Sequence, residues 1–550
     1  MPRPTTDHPL SPPAGFRGVF RTDAHARAVY SESAGVAQII PDAVAVPADA
    51  EDVVTLVQWA AAHGVPIVPR GSASSMSNGA LGPGVALDLS RLSWMEAVDP
   101  ATATVRCGPG ALRDAVDAAA RTHGLRFAVD PSSGAFATMG GMAATNAAGA
   151  RTVKLGATRA WVRGLDCVFA DGSRAWVRRG EPRPKVEPVR TFQHEVARDA
   201  IDRGAALARA GVRKESSGYA LAEYARSGDL VDVLIGSEGT LAIFVGLELA
   251  LAPIPAARAS LLASFSTLES AVQAAGRCTA LGASAVELLD RTFLDVVRHE
   301  ASSLSIPAAA DAVLLIEAEG ATPADADTLA LRLADACRQA HAAHVVSAPD
   351  AETAARIWRI RHAASPILNR LDPHLASMQL IEDGAVPPER FPDYVRGVRA
   401  ALDRHRIRGV IFGHAGDAHA HVNALIDVRD ADWRERARAL VDDVTGLVAL
   451  LGGTLAAEHG DGRLRTPLMF RVWDVRAMAL FARVKQAFDP LNILNPGVKV
   501  PAGDDDPLAS VKYDPTRPPL PADARAGLDR VVRERGWATY RLGLLDSELP

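Results

Sequence analysis

At 550 residues the chain is too long for one ordinary hydrophobic core, and two domains of unequal size are expected. Hydrophobic residues make up 48% and charged residues 23%, as in a globular protein, and a formal charge of −5 argues against a nucleic-acid binder, which carries a basic excess. Four cysteines, Cys107, Cys167, Cys278 and Cys337, lie far apart without a Cys-x-x-Cys pair, which excludes an iron–sulfur ligand run and a disulfide framework and leaves ordinary buried thiols in a reducing compartment.

Met1–Phe20 is proline-rich and lacks the apolar core of a signal peptide, and no apolar run approaches the ~18 residues of a spanning helix. A cytoplasmic protein is expected, with peripheral contact at the inner membrane face left open. Residues 1–35 read as an N-terminal extension. Val44–Pro47 reads as a strand, and Asp49–His63 as a helix with an acidic first turn and Gly64 just past its end. Val65–Pro69 is a second strand running into Arg70-Gly71-Ser72-Ala73-Ser74-Ser75. Val85–Leu89 and Ala103–Cys107 are further strands, and Leu112–His123 a helix.

Asp130–Gly149 is dominated by small residues and carries no charge after Asp130, which suits backbone amides that must approach a large ligand better than solvated disorder. Val162–Ala170 and Trp176–Arg178 form a hairpin around Asp171-Gly172-Ser173. Glu181–Gly211 is read as an insertion, proline-rich and then helical. Leu230–Leu251 is read as two apolar strands flanking Gly236-Ser237-Glu238-Gly239-Thr240. After a linker at Pro253 and Pro255, strands at Ala259–Phe265, Ala285–Leu289 and Ala312–Glu319 alternate with helices ending at Leu281 and His341, a rhythm that suits a ferredoxin-like sheet. From Pro501 the chain is rich in Asp and Pro and is read as a tail wrapping the body.

The densest chemistry lies in Gly413-His414-Ala415-Gly416-Asp417-Ala418-His419-Ala420-His421-Val422-Asn423 and, further on, Ala457-Glu458-His459-Gly460. Imidazoles with a carboxylate are the ligand set of a borderline divalent metal. A strand over Ala418–Ala424 would put His419, His421 and Asn423 on one face. The spacing matches neither a zinc finger nor a His-Glu-x-x-His metalloprotease helix, and no Gly-x-Gly-x-x-Gly or Walker sequence occurs. Three amide-rich loops remain, Pro69–Asn78, Pro131–Gly149 and Gly236–Thr240; turns of this kind make concave nests for phosphate oxygens, and three together suit a ligand as long as FAD.

At these loops the sequence resembles the vanillyl-alcohol oxidase superfamily with its PCMH-type FAD domain, and within it the D-lactate, glycolate and D-2-hydroxyglutarate dehydrogenase group. The resemblance is carried by Pro69-Arg70-Gly71-Ser72, Asp130-Pro131-Ser132-Ser133, Thr138–Asn146, Val168–Gly172 and Ile235–Thr240. It continues through Trp358–Arg361, Glu382–Pro387, both histidine clusters and Leu494-Asn495-Pro496-Gly497, covering roughly residues 36–500 in the family's order. It implies an α+β protein with a PCMH-type FAD-binding domain at 36–252, a FAD-linked oxidase C-terminal domain with a ferredoxin-like sheet at 253–500, and an appended tail at 501–550.

By position, the resemblance assigns Arg70, Gly71, Ser72, Ala73, Ser74 and Ser75 to the FAD pyrophosphate. Pro131, Ser132, Ser133, Thr138, Gly140, Gly141, Ala144, Asn146 and Gly149 fall along the ribityl chain and isoalloxazine, Ile235, Glu238 and Gly239 near the adenine and diphosphate, and Asn495 in the same site. Gly71–Gly79 has no histidine, which implies non-covalent FAD. His414, His421 and Glu458 fall on the ligands of a divalent metal, zinc or manganese. His459 falls on the general base, Arg361 on the carboxylate-gripping residue, and Asn423 could touch substrate.

Two departures stand out. The usual Gly-Asn is replaced by Ala418-His419, so His419 is an extra ligand, a supporting group behind the ligands or a neutral replacement, of which the supporting role is favoured. Members acting on 2-hydroxyglutarate often carry a lysine just before the aspartate that aligns with Asp383, where this chain has Ile381 and Glu382. The activity implied is oxidation of a D-2-hydroxy acid to the 2-keto acid, with electrons passed to a quinone, a cytochrome or an electron-transfer flavoprotein. The alternatives are a glycolate oxidase-type subunit and a non-redox alkyl-glycerone-phosphate synthase-like flavoenzyme. A homodimer is the default assembly.

Overall fold

A computed structural model of the protein describes residues 10–297, 306–368, 374–503 and 506–546. The first nine residues of the proline-rich start, and part of the Asp-rich run after Pro501, lie outside it.

The first sheet holds Val19–Arg21, Ala43–Val46, Val85–Asp88 and Ile67–Arg70 in that order, with the last three parallel. Its helix Ala50–His63 forms where expected. Asp49 caps it by accepting from Glu51 N and Asp52 N, and Gly64 ends it at φ +63°, where a side chain would be strained. A second sheet, antiparallel, runs Thr104–Cys107, Ile243–Ala250, Val162–Val168 and Arg174–Arg178. The hairpin of the last two strands is as the sequence predicts, and the expected insertion holds two helices, Glu187–Glu195 and Ala197–Leu207.

One expected strand is a helix. Leu230–Leu234 is helical, capped by Asp229 accepting from Val231 N, and all five residues are buried. An apolar run this short has no periodicity to separate the two states, so the cap decides. The run 130–149 also encloses a helix, Met139–Thr145, which Asn146 terminates in the left-handed conformation at φ +54°.

The second domain is a wide antiparallel sheet ordered His344–Ser347, Ala257–Phe265, Ala312–Gly320, Ala285–Asp290, Arg408–His414, His419–Asp427, Leu375–Met378. Strand alternation sorts its side chains. Leu261, Ala263, Phe265, Leu314 and Ile316 face helices Leu268–Ala280, Pro323–Gln339 and Phe391–Arg404. Leu262, Val313, Leu315, Val410 and Phe412 face the other way, toward Phe293, Ile357 and Ile360.

Chain order and packing diverge near the C-terminus. Helix Val475–Phe488 buries Leu480, Phe481, Val484 and Phe488 in the core of the first domain. The next residues return to the first sheet, where Ile67 N donates to Ile493 O at 2.7 Å and Asn495 N to Ile67 O at 2.8 Å. The tail packs on both domains: Leu508 and Val511 join the core of the second, and helix Ala522–Glu534 packs through Ala524 and Val531 against Ala26 and Val29 of the first.

A buried arginine–glutamate pair and a partly buried one join the domains. Arg126 holds Glu319 at 2.7 and 3.1 Å, and Arg151 holds Glu317 at 2.8 and 2.6 Å. All four cysteines are buried and free.

Candidate active site

A cavity of about 1410 Å³ lies between the domains. That exceeds the roughly 300–1,000 Å³ of ordinary small-molecule pockets and suits a long ligand. The first domain lines it with residues 69–76, Asp130–Ser133, Thr138, Gly140, Gly141, Ala144, Gly149, Glu238 and Gly239.

The small residues of this wall are demanded by packing. A Cβ on Gly71 would stand 2.1 Å from Thr138 Oγ1, and one on Gly140 2.5 Å from Pro109 Cβ. Ala73 and Glu238 adopt positive φ of 57° and 54°, backbone strain of the kind that gathers at binding sites.

Not every expected flavin residue faces the cavity. Arg70 lines it, but its guanidinium donates to Tyr30 O at 2.9 Å and Glu32 O at 3.2 Å. Glu238 accepts from Asp461 N at 2.6 Å and Gly462 N at 2.8 Å and pairs with Lys499 at 3.0 Å, which ties the loop to the second domain. Asn146, Ile235 and Asn495 are not among the lining residues. Asn146 Oδ1 accepts from Arg159 N, and Asn495 Nδ2 donates to Gly79 O and Glu238 O, so both brace the loops from behind.

The opposite wall carries charge. The strands Arg408–His414 and His419–Asp427 pair with His414 opposite His419 and Phe412 opposite His421. His414 Nδ1 donates to Glu287 Oε1 at 2.6 Å, and His421 Nδ1 donates to the carbonyl of Glu382 at 2.9 Å. With the outer nitrogens so used, the Nε2 lone pairs turn inward. His414 Nε2 is 3.2 Å from Glu458 Oε1, His421 Nε2 is 3.4 Å from the same oxygen, and the two Nε2 atoms are 3.4 Å apart.

Two imidazole nitrogens and a carboxylate oxygen converging on one point call for positive charge there, either a proton on His414, which burial opposes but Glu287 and Glu458 favour, or a bound cation. Around an ion bound at about 2.0–2.2 Å, neighbouring ligand atoms stand roughly 3.0–3.5 Å apart, so the donor set fits a divalent metal. The buried carboxylates Glu287, Glu382, Asp383, Asp417 and Glu458 gather around Lys214, Arg361, Arg465 and the imidazoles of His414 and His459.

Burial works against ionised Glu458, but Lys214 at 2.8 Å and the imidazoles of His414 and His419 hold its carboxyl well below the usual range. Glu287 is likewise held low by His414 and by Arg361, whose Nε donates to its Oε2 at 2.7 Å. His459 stands beside the ligands. Its Nδ1 donates to Glu382 Oε2 at 2.6 Å and its backbone N to Asp383 Oδ2 at 2.9 Å. Burial opposes a charge on His459, yet Glu382 and Asp383 outweigh it and lift the imidazole to about 9. Glu458 and His459 fall in different clusters, one with His414, His419 and His421, the other with Glu382, Asp383 and His421. The backbone bends at 457–459 instead of running extended, and His459 Nε2 stands 3.8 Å from Glu458 Oε1. Arg361 and Asn423 also line this end of the cavity, Arg361 with its guanidinium 4.6 Å above the Phe412 ring.

Residues 41–178 match the FAD binding domain family and residues 254–498 the FAD linked oxidases, C-terminal domain. The chain is 30% identical to glycolate oxidase subunit GlcD of Bacillus subtilis (strain 168), over 86% of this chain and 92% of that one. The chain belongs to the FAD-linked oxidase family.

This oxidoreductase is also 29% identical to D-2-hydroxyglutarate dehydrogenase of Pseudomonas putida, over 96% of this chain but 54% of that protein. Its fold is shared by 4-ethylphenol oxidase from Gulosibacter chungangensis, with TM-score 0.64, 16% identity, and 88% and 94% of the two chains covered. An alkyldihydroxyacetonephosphate synthase shares it too, at TM-score 0.58, 17% identity, and 87% and 82% coverage. Among its described residues no helix is long and apolar enough to cross a membrane.

Several site residues of this FAD-linked oxidase carry no signal at sequence level. Lys214, almost fully buried, reaches Glu458 and Asp417 from just beyond the stretch Glu181–Gly211 read as an insertion. Glu287 sits inside the apolar strand Ala285–Asp290, where alternation would have given it only a face. Arg465 pairs with Glu382 from helix Gly462–Arg465. A buried charge is visible in a sequence only when its partner is, and these partners lie 74 to 244 residues away.

Proposed function

We propose that this FAD-linked oxidoreductase oxidises a D-2-hydroxy acid to the 2-keto acid, with non-covalent FAD and a divalent metal, zinc or manganese. The convergence of His414 Nε2, His421 Nε2 and Glu458 Oε1 within 3.4 Å, beside Arg361 and His459 at the end of a flavin-sized cavity, carries the reading. A flavin in the cavity supplies the acceptor for the hydride of the substrate α-carbon. A divalent ion among the three donors supplies positive charge that lowers the pKa of the substrate hydroxyl.

The chain's own residues do the rest. Arg361 is anchored through Nε to Glu287, which leaves its terminal nitrogens for a bidentate bond to the substrate carboxylate. His459 would take the hydroxyl proton on Nε2, because Nδ1 is committed to Glu382. A cation bound at Glu458, whose Oε1 is 3.8 Å from that Nε2, would offset the carboxylates that otherwise keep the imidazole protonated at neutral pH, leaving Nε2 free to accept. Asn423, on the strand face of His421, contacts the substrate oxygens. Glu382 occupies the place before Asp383 and is spent on His459 and Arg465, so among the described residues the cations beside it are already paired with carboxylates of the chain. This supports a monocarboxylic acid such as D-lactate or glycolate over D-2-hydroxyglutarate, and keeps a glycolate oxidase-type role as the second reading.

The absence of a histidine between Gly71 and Gly79 supports flavin that leaves with acid denaturation. Electrons pass on to a quinone, a cytochrome or an electron-transfer flavoprotein, from a cytoplasmic enzyme that is a homodimer by default. Anaerobic bleaching of the flavin tests the reading: D-lactate or glycolate should bleach it faster than D-2-hydroxyglutarate. Failure of every D-hydroxy acid in the panel would sink it and return a non-redox flavoenzyme to consideration.

A further inference from the structure

His419 is fully buried, and among the described residues neither of its ring nitrogens makes a well-aligned hydrogen bond. A buried polar side chain left so is costly and calls for an explanation. Its surroundings give one. The ring lies 4.5 Å from that of His421 and 5.3 Å from that of His414, centroid to centroid. Its Nε2 is 3.0 Å from Asp383 Oδ1, close but misaligned for a hydrogen bond, and its Nδ1 is turned to Glu458, 4.0 Å from Oε2.

The three imidazoles therefore share one plan. Each has an oxygen behind its outer nitrogen, hydrogen-bonded in the first two cases and 3.0 Å away but misaligned in the third: Glu287 for His414, the Glu382 carbonyl for His421, Asp383 for His419. Each presents the other nitrogen to Glu458. An acceptor behind the ring fixes the tautomer and orientation of a metal-binding histidine. One potential ligand atom from each of His414, His419, His421 and Glu458 lies within 4.8 Å of all the others. Opposite ligands of a six-coordinate ion stand about 4.0–4.4 Å apart, so a small ring movement closes the set.

We propose that His419 is a fourth protein ligand, so that this chain holds its divalent ion with three imidazoles and one carboxylate. The inference rests on the metal reading above and replaces the supporting role that sequence alone favoured for His419. Two of six positions then remain, enough for the carboxylate and hydroxyl oxygens of a 2-hydroxy acid. A third imidazole also moves the preference of the site from manganese toward zinc, cobalt and nickel.

The test is zinc-edge X-ray absorption of the zinc-loaded holoenzyme, in which imidazole rings are counted by their outer-shell scattering. Three rings are expected in the parent and two in His419→Asn. Zinc affinity should fall about 10–100-fold in the variant, but a residue that merely braces a ligand can cost as much, so the ring count decides. Zinc-to-manganese preference should narrow alongside it. A parent spectrum with two rings overturns the assignment even if the variant cannot be made, and leaves the proposed function standing. A parent that binds manganese but no zinc overturns the His419 assignment alone, and one that binds neither overturns the metal reading together with it.

Discussion

Between Pro131 and Ala150 the first-domain wall of the cavity carries no charged side chain and is built from residues that a single Cβ would disturb. The facing wall of the second domain crowds buried carboxylates, imidazoles and cations into a few ångströms. One wall works by shape, since small residues let backbone come close to a ligand. The other works by charge held in a dry environment, where each unpaired group would be expensive. Damage should differ accordingly: changes of size in the first wall should loosen flavin, and changes of charge in the second should stop chemistry while flavin stays bound.

The sharpest separation is expected from His459→Ala. Its flavin reduction rate should fall about 10²–10⁴-fold, the span of a positioned general base, with flavin content and apparent substrate affinity little changed, because Arg361 and the metal hold the carboxylate. Stopped-flow reduction measures both. If the variant instead lost metal and kept its rate on reloading, Glu458 and His459 would have to exchange roles.

Glu458→Gln should lower metal affinity by more than the roughly 10–100-fold lost with a partner behind a ligand, and turnover with it, because the charged member of the donor set is gone. Metal analysis after dialysis, read beside the flavin spectrum, checks this. Full activity in chelated, metal-free enzyme would remove the metal from the mechanism.

The junction between the walls can be tested by acid. Burial disfavours ionised Glu319, but Arg126, Lys154 and Arg258 overcome this and lower its pKa from 4.5 to about 2. A carboxylate with a depressed folded-state pKa contributes stability fully above about 4.5 and loses it as pH falls toward 2. Glu319→Gln should therefore destabilise the protein by about 2–3 kcal/mol near neutral pH, and the difference from the parent should shrink below pH 4.5. Denaturant titrations at several pH values decide it; a penalty independent of pH would show that the pair does not act through charge.

The smallest effect is expected in the shape-built wall. Gly140→Ala pushes a methyl to within 2.5 Å of Pro109 Cβ, so the helix start must shift. FAD affinity should weaken roughly tenfold, about 1.4 kcal/mol, while metal content is unchanged. Loss of metal with flavin unaffected would erase the contrast between the walls.

Local patterns in the sequence carried much of this protein. The acidic turn at Asp49, the Gly64 stop and the Asp171-Gly172-Ser173 hairpin were legible because caps and turns depend on neighbouring residues alone. His414, His421 and Glu458 stood out because histidines between glycines are rare without a task, and alternation placed His419, His421 and Asn423 on one strand face. The helix at Leu230–Leu234 escaped because five apolar residues have no measurable period.

What tertiary structure alone decided is which distant groups meet. It turned the guanidinium of Arg70 to backbone carbonyls, returned helix Val475–Phe488 to the first domain, and brought Lys214, Glu287 and Asp383 around the histidines. The physical reason is the same in each case. Secondary structure is written in contacts a few residues long, whereas a buried charge is stable only beside its counter-charge, and the address of that partner is set by the fold.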